Sequence, residues 1–310
     1  MVAYHSLNYL DYGTLPHEYL TFVPTSFILI SGFIITQFYS RKYGLDSRDL
    51  ISRLATRSVK LLLIFISLNL GVRILLLGTN GGINSSLWAM LEEWIAIFIR
   101  GGGRATAFEI LVPIAYLLII SIPVLKFQRK VLHVVKAGPI TLISFGLLLN
   151  IVSSSIYNVY MISSGIIGLG IGLVSLDRIA GLTRSWIKLI LFYVLYWVAA
   201  LVFGDTYFKQ ISCTVVSLLI IYAAGNNLDI QRPLARQVVL LGRYSLFSYI
   251  AQIFYLQVLF RCIAHGGIGE PNAFTVIFSI SILTWVTVMG VEHFRLRYRC
   301  IDQVYKAVFA

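Results

Sequence analysis

Apolar runs of about 17 to 25 residues, each able to carry a helix across roughly 30 Å of hydrocarbon, recur along the whole chain of 310 residues. They fall at Tyr19 to Tyr39, Ser58 to Leu77, Phe108 to Leu125, Gly138 to Ser155, Val159 to Leu176, Trp186 to Phe203, Ile211 to Asn226, Val238 to Phe260 and Phe274 to Val291. A chain with this pattern is expected to fold as an all-α polytopic membrane protein: a bundle of nine full transmembrane helices plus a partial first helix, forming one domain over residues 1–310. The partial helix is Met1 to Tyr12, which at 1.5 Å per residue reaches only about 18 Å. Composition agrees, with 58% hydrophobic and 12% charged residues, where a soluble domain has about 25% charged. Cys213, Cys262 and Cys300 are too few and too scattered for a disulfide framework or a cysteine-rich metal site.

Charge placement tests the division independently of hydropathy. Twenty of the 25 Lys and Arg residues lie at the joints after alternate spans: Arg41 to Lys60, Lys126 to Lys136, Arg178 to Lys188, Arg232 to Arg243 and Arg295 to Lys306. Arg73, Arg100, Arg104, Lys209 and Arg261 make up the other side. A bias that keeps phase through every crossing predicts that the basic joints and the C-terminus are cytoplasmic. The net charge of +12 is then topogenic and attracts anionic membrane lipid; it calls for no nucleic acid.

The connection from Gly78 to Ala107 is the long external one. Within it, Ser86 to Ile99 mixes Trp88 and Trp94 with Glu92 and Glu93, as an interfacial helix does, and Gly101-Gly102-Gly103 suggests a flexible lid. Asn84-Ser85-Ser86 fits a glycosylation sequon. Ser164, Gly168 and Gly172 recur every four residues, a spacing that lets two helices approach closely.

Ionisable groups inside a membrane are costly, so each is a functional candidate. His5, Arg73, Glu109 and Glu292 qualify, with Asn69, Asn150 and Gln252 as uncharged companions. His5 is placed about 10 Å below the outer surface by its distance from Tyr12, and a dehydrated imidazole there is suited to act as a general base on an alcohol. Arg53, Arg57 and Lys60 gather where the span from Ser58 begins, and Arg57 and Lys60 share a helix face. Such cations suit the phosphates of a nucleotide-like ligand. About 20 Å separates the inner surface from His5, a distance that an extended thioester arm covers. Glu109 is expected to orient the acceptor or pair with Arg104, and Glu292 to pair with the arginines of the tail.

Tyr4-His5-Ser6, the run Thr25-Ser26-Phe27-Ile28-Leu29-Ile30-Ser31-Gly32-Phe33-Ile34-Ile35-Thr36, the segment Arg57-Ser58-Val59-Lys60, the late Leu241-Gly242-Arg243-Tyr244-Ser245-Leu246-Phe247-Ser248-Tyr249-Ile250 and the basic tail Arg295 to Phe309 together resemble the bacterial membrane acyltransferase-3 family. The resemblance implies an inner-membrane O-acyltransferase. It would move an acyl group, commonly acetyl, from cytosolic acyl-CoA to a hydroxyl of a cell-surface or periplasmic polysaccharide or glycolipid, without a metal. His5 would be the catalytic histidine, and Arg57 with Lys60 the donor-binding pair, flanked by Arg53. Three positions depart from the family pattern. The arginine expected about eleven residues before the histidine is missing, which suggests a sequence truncated within its first span. Lys60 replaces an arginine and so loses the bidentate fork. Gln252 stands where a late histidine is common. The alternatives are a carrier or flippase for a lipid-linked sugar, which would favour broken helices and internal repeats, and a non-catalytic membrane scaffold.

Overall fold

Where water is scarce, a backbone amide or carbonyl has no partner but another backbone group, and the α-helix satisfies both within one segment. A computed structural model of the chain describes residues 2–10, 20, 22–44, 47–77, 87–101, 108–132, 138–153, 156–203, 207–227, 229, 231–264 and 271–309. In order, the helices are α1 (Val2–Leu10), α2 (Phe22–Ile34), continued by a π-helical turn (Ile35–Tyr39) into α3 (Ser40–Tyr43), α4 (Arg48–Leu77), α5 (Leu87–Ile99), α6 (Leu111–Leu132), α7 (Gly138–Val152) and α8 (Tyr157–Gly172). There follow α9 (Leu176–Thr183), α10 (Trp186–Phe203), α11 (Tyr207–Asn227), α12 (Pro233–Arg243), α13 (Ser245–Ala264), α14 (Ala273–Arg297) and α15 (Arg299–Phe309). No strand occurs among the described residues.

The described residues of every apolar run found in the sequence lie mostly on helix, but the lengths differ from the expectation of nine full crossings. Among the described residues, Phe22–Tyr43, Arg48–Gly71, Ser245–Ile263 and Ala273–Arg297 are long and apolar enough to cross a membrane. The pair α8 and α9 makes a fifth if counted as one span, although it bends by 97° at its break. The stretches Leu111–Phe127, Gly138–Val152, Trp186–Val198 and Gln210–Asn226 are apolar but shorter. Two boundaries also move. The run from Ser58 belongs to a helix that starts ten residues earlier at Arg48, and the run from Val238 is split at Tyr244 into α12 and α13.

The chain divides into two compact units, Met1–Val23 with Ala224–Ala310, and Pro24–Ala223. The second unit is built around α8, which is buried along nearly its whole length. Its glycines explain why. A Cβ at Gly165 or Gly168 would overlap Ile28 or the Leu29 carbonyl of α2, one at Gly172 would overlap Thr36 of the π-turn, and one at Gly32 would overlap the Gly165 carbonyl. On the facing side, Gly170 of α8 meets Pro139 and Ile143 of α7, and Gly146 of α7 meets Ser163 and Ile167 of α8, in the same way. Close approach lets polar groups bridge the helices: Thr36 donates to the Leu169 carbonyl at 3.0 Å, Gln37 to the Val174 carbonyl at 3.2 Å, and Asn150 to the Ser163 hydroxyl at 2.8 Å. The small-residue repeat is therefore a packing device, with Ser164 buried beside the glycines and bonded back to Tyr160. Ser58 ties α4 to the Ala115 carbonyl of α6 at 2.9 Å.

In the first unit, α13 and α14 form a helical hairpin against which α1 packs. Leu256 of α13 clusters with Val276 and Ile280 of α14, with Val2 of α1 against them. At one end of the hairpin the buried Tyr244 donates to Glu292 and accepts from Arg295, and Arg243 lies 3.8 Å from Glu292. Glu292 thus pairs with Arg243, not with the tail arginines, because Arg295 turns to Asp302, 2.7 Å away, when α15 folds back. Lys306 closes on the other oxygen of Asp302 at 2.6 Å, and Tyr305 and Phe309 pack on Tyr244 and Phe247. Lys306 and then Arg295 hold the Asp302 carboxyl below its usual range, while burial and the bond to Glu292 push the Tyr244 phenol up to about 12.

Overfilling a tight contact costs about 1–3 kcal/mol, whereas an open helical glycine gains about 1 kcal/mol as alanine. Gly168→Val is therefore expected to lower the thermal midpoint by several degrees, and Gly290→Ala, with open space around its Cβ, to preserve or raise it. A thermal melt in detergent reads both. The depressed Asp302 carboxyl stabilises the α15 contact above the ordinary carboxylate pKa near 4, and this contribution is lost as pH falls through its lowered value. A spin label on α15 should gain mobility only in strongly acidic buffer, and Asp302→Asn should bring that mobility to neutral pH.

A buried polar layer and a basic cluster

The hairpin register decides what faces His5. Tyr244 opposite Glu292 and Leu256 opposite Ile280 define an antiparallel pairing in which Gln252 faces Thr284. Gln252 is 2% exposed and Thr284 4%. Helical periodicity sets Gln252 on the buried face of α13 with Tyr249 and Leu256, and Thr284 on the stripe Val276, Ile280, Thr284 and Val288 of α14. On α1, Ser6 is one turn from Val2 and fully buried, and the His5 ring packs against Tyr249 with centroids 5.7 Å apart and against Tyr4 at 5.2 Å.

One turn along from the apolar cluster, three helices thus supply polar side chains to a common level. The His5 Nε2, Ser6 Oγ, Ser248 Oγ, Gln252 Nε2 and Thr284 Oγ1 atoms are all buried, and none has a hydrogen-bond partner among the described residues. A buried polar atom left without a partner costs about 1–3 kcal/mol, so five within neighbouring turns of one helical bundle mark a place built to receive hydrogen-bonding groups. Thr284 lies eleven residues into α14, about 16 Å along its axis.

The donor-site candidates form a second constellation, in the other unit. Arg53, Arg57 and Lys60 follow at four and three residues on α4, so they share one face. Opposite them, the π-turn and α3 present two tyrosines. Arg57 donates to the Tyr39 hydroxyl and lies over its ring, 5.3 Å from the centroid. Arg53 lies 4.7 Å and Lys42 5.4 Å from the Tyr43 centroid. A π-turn rotates the residues beyond it, and here it carries Tyr39 to Arg57. Arg53 is exposed, while Arg57 and Lys60 are partly covered. No carboxylate pairs with these three cations among the described residues, which leaves them free to meet an anion.

Glu109 belongs to the same unit as this basic cluster. It is partly buried in the turn that opens α6, where its carbonyl accepts from Val112, and it follows Phe108, which has a φ of +67°. Arg104, its expected partner, lies outside the described residues, as do Gly102, Gly103 and the Asn84 sequon; nothing is described of the side chains of Arg73 and Trp88. Gly101 is set against Asn158, whose side chain donates to the Ile97 carbonyl at 2.8 Å and anchors α5 on α8. Asn69 and Asn150 are likewise held within helix packing, by the Phe65 carbonyl and the Ser163 hydroxyl.

Sequence reasoning selected His5 and Gln252 separately but missed Ser6, Ser248 and Thr284. Their signal was present: hydroxyls at helical spacing on faces that are otherwise apolar. Removing such a hydroxyl removes a dehydrated group with no bond to lose. Thr284→Val and Ser6→Ala are therefore expected to leave the thermal midpoint unchanged or to raise it by a few degrees. A fall of similar size would mean that these hydroxyls are bonded structural elements.

The chain matches no family model, no curated protein and no solved structure.

Proposed function

We propose that the chain is an integral-membrane O-acyltransferase that moves an acyl group, most simply acetyl, from cytosolic acyl-CoA to a hydroxyl of an envelope polysaccharide or glycolipid. The observation that carries this reading is the unpartnered, buried Nε2 of His5 in a layer of hydroxyl and amide groups. A dry imidazole nitrogen with a free lone pair accepts a proton from an alcohol. In the reaction, His5 takes the acceptor's hydroxyl proton as the oxygen attacks the thioester carbonyl. Collapse of the tetrahedral adduct breaks the carbon–sulfur bond, and the proton passes to the departing thiolate, giving ester and free CoA. Ser6, Ser248, Gln252 and Thr284 offer the hydrogen bonds that an acceptor hydroxyl or an oxyanion needs.

The cluster of Arg53, Arg57 and Lys60 supplies the complementary chemistry, three cations on one helix face for the donor's phosphates. Tyr39 fixes Arg57 in place, so less side-chain freedom is lost when a phosphate binds. Glu109 is assigned to the acceptor side, where a carboxylate hydrogen-bonds sugar hydroxyls. This reading includes nine full crossings with a partial first helix, an inner-membrane location and cytoplasmic basic joints. The alternative that a specific observation favours is a carrier for a lipid-linked sugar, since the 97° break between α8 and α9 resembles the broken helices of transporters.

The two readings separate in nanodiscs supplied with labelled acetyl-CoA and a glycan acceptor. The enzyme releases CoA, and His5→Ala reduces that release by about 10²–10⁴-fold, the usual contribution of a general base. Arg57→Gln should raise the donor KM about tenfold with kcat little changed, as expected when uniform binding is removed. Glycan movement without CoA release identifies the carrier.

A further inference from the structure

Helix α15 carries its side chains in three separate stripes, and only two of them are explained by the fold. Asp302, Tyr305 and Phe309 face the protein and hold the helix through Arg295, Tyr244 and Phe247. Arg299, Gln303 and Lys306 form a polar stripe. Ile301, Val304 and Val308, spaced three and four apart, form an apolar stripe opposite the polar one, and they are 39%, 59% and 38% exposed. A tethered helix that turns its aliphatic side chains away from the protein needs another apolar medium on that side.

A second helix at the same end of the hairpin repeats the pattern. In α12, Leu234 and Val238 are 81% and 59% exposed on one face, and Arg236 and Arg243 occupy the other, with Arg232 just before the helix. Gln237 accepts from the Trp285 indole at 3.1 Å and Arg243 reaches Glu292, so α12 lies beside the second half of α14, from its middle at Trp285 towards its end, and only its Arg243 end comes near α15. Leu296, 81% exposed at the end of α14, adds to the apolar surface. Near it stand Arg243, Arg297, Arg299 and Lys306. The acidic residues there are already engaged, Asp302 by Arg295 and Lys306, Glu292 by Tyr244 and Arg243, and Asp229 by Arg232 at 3.9 Å.

We propose that α15 forms a ledge that lies in the headgroup region of the bilayer and binds anionic phospholipid, with its aliphatic stripe in the acyl boundary and Arg297, Arg299 and Lys306 on lipid phosphates. An aliphatic stripe beside a surplus of cations is the surface of a monotopic amphipathic helix, and each basic residue near an anionic surface adds attraction. A neutral protein partner would leave the cations unmatched.

The chain provides its own reporter. Cys300 is exposed on the flank of the apolar stripe, Cys213 is buried, and Cys262, the other exposed thiol, is removed by Cys262→Ser. An environment-sensitive fluorophore on Cys300 of the full chain, reconstituted in vesicles of phosphatidylcholine with phosphatidylglycerol, should be quenched severalfold more by a shallow doxyl-lipid than by aqueous iodide. Val304→Asp should reverse that order, and the triple change Arg297→Gln, Arg299→Gln, Lys306→Gln should abolish the difference between mixed vesicles and phosphatidylcholine alone. Iodide quenching that dominates in both lipids overturns the proposal. So does doxyl quenching that ignores phosphatidylglycerol, or protection that appears only as protein density rises, which would point to a second copy.

Discussion

The cost of leaving a polar group without a partner, away from water, organises this structure. Backbone groups avoid it by forming helix, which is why no strand interrupts the described chain. Most polar side chains avoid it by bonding to a carbonyl one turn back or to a neighbouring helix, as Asn69, Thr214, Ser281 and Thr36 do. Against that background the unpartnered atoms of His5, Ser6, Ser248, Gln252 and Thr284 are exceptional because they are concentrated within neighbouring turns of a single hairpin and the short helix beside it. Their concentration, more than the identity of any one residue, makes the layer a candidate site.

The two units use opposite solutions to helix packing. Around α8, glycines bring backbones so close that aliphatic contacts and interhelical hydrogen bonds replace bulky side chains. In the hairpin of α13 and α14, packing is mediated by larger residues, Leu256 and Ile280 among them, with polar groups placed between apolar layers. The first arrangement leaves little room to deform. The second accommodates side chains whose hydrogen-bonding capacity is kept for something else. It also ends in a ring of Tyr244, Glu292, Arg295 and Asp302 that fastens α15 to the hairpin.

The basic cluster shows the same logic on a more exposed surface. Cations at the end of a membrane helix are expected from topology alone, so their presence says little about ligands. Their organisation says more: Arg57 is bonded to Tyr39, Arg53 and Lys42 flank Tyr43, and a π-turn brings the tyrosines to them. A helix start that served only topology would not require aromatic partners or a turn of altered pitch.

Helix content, the apolar runs and the candidacy of His5, Gln252, Arg53, Arg57 and Lys60 were all legible in the residues, because hydropathy and helical spacing are local properties. The close packing of Gly168 and Gly172 was legible for the same reason. Tertiary structure decided the rest. It fixed which runs are long enough to cross, broke the run from Val238 at Tyr244, and turned α9 away from α8. It sent Glu292 to Arg243, and it brought Ser6, Ser248 and Thr284 to the level of His5 and Gln252. These depend on which helices touch and in what register, and register is set by the sum of contacts between segments far apart in the chain.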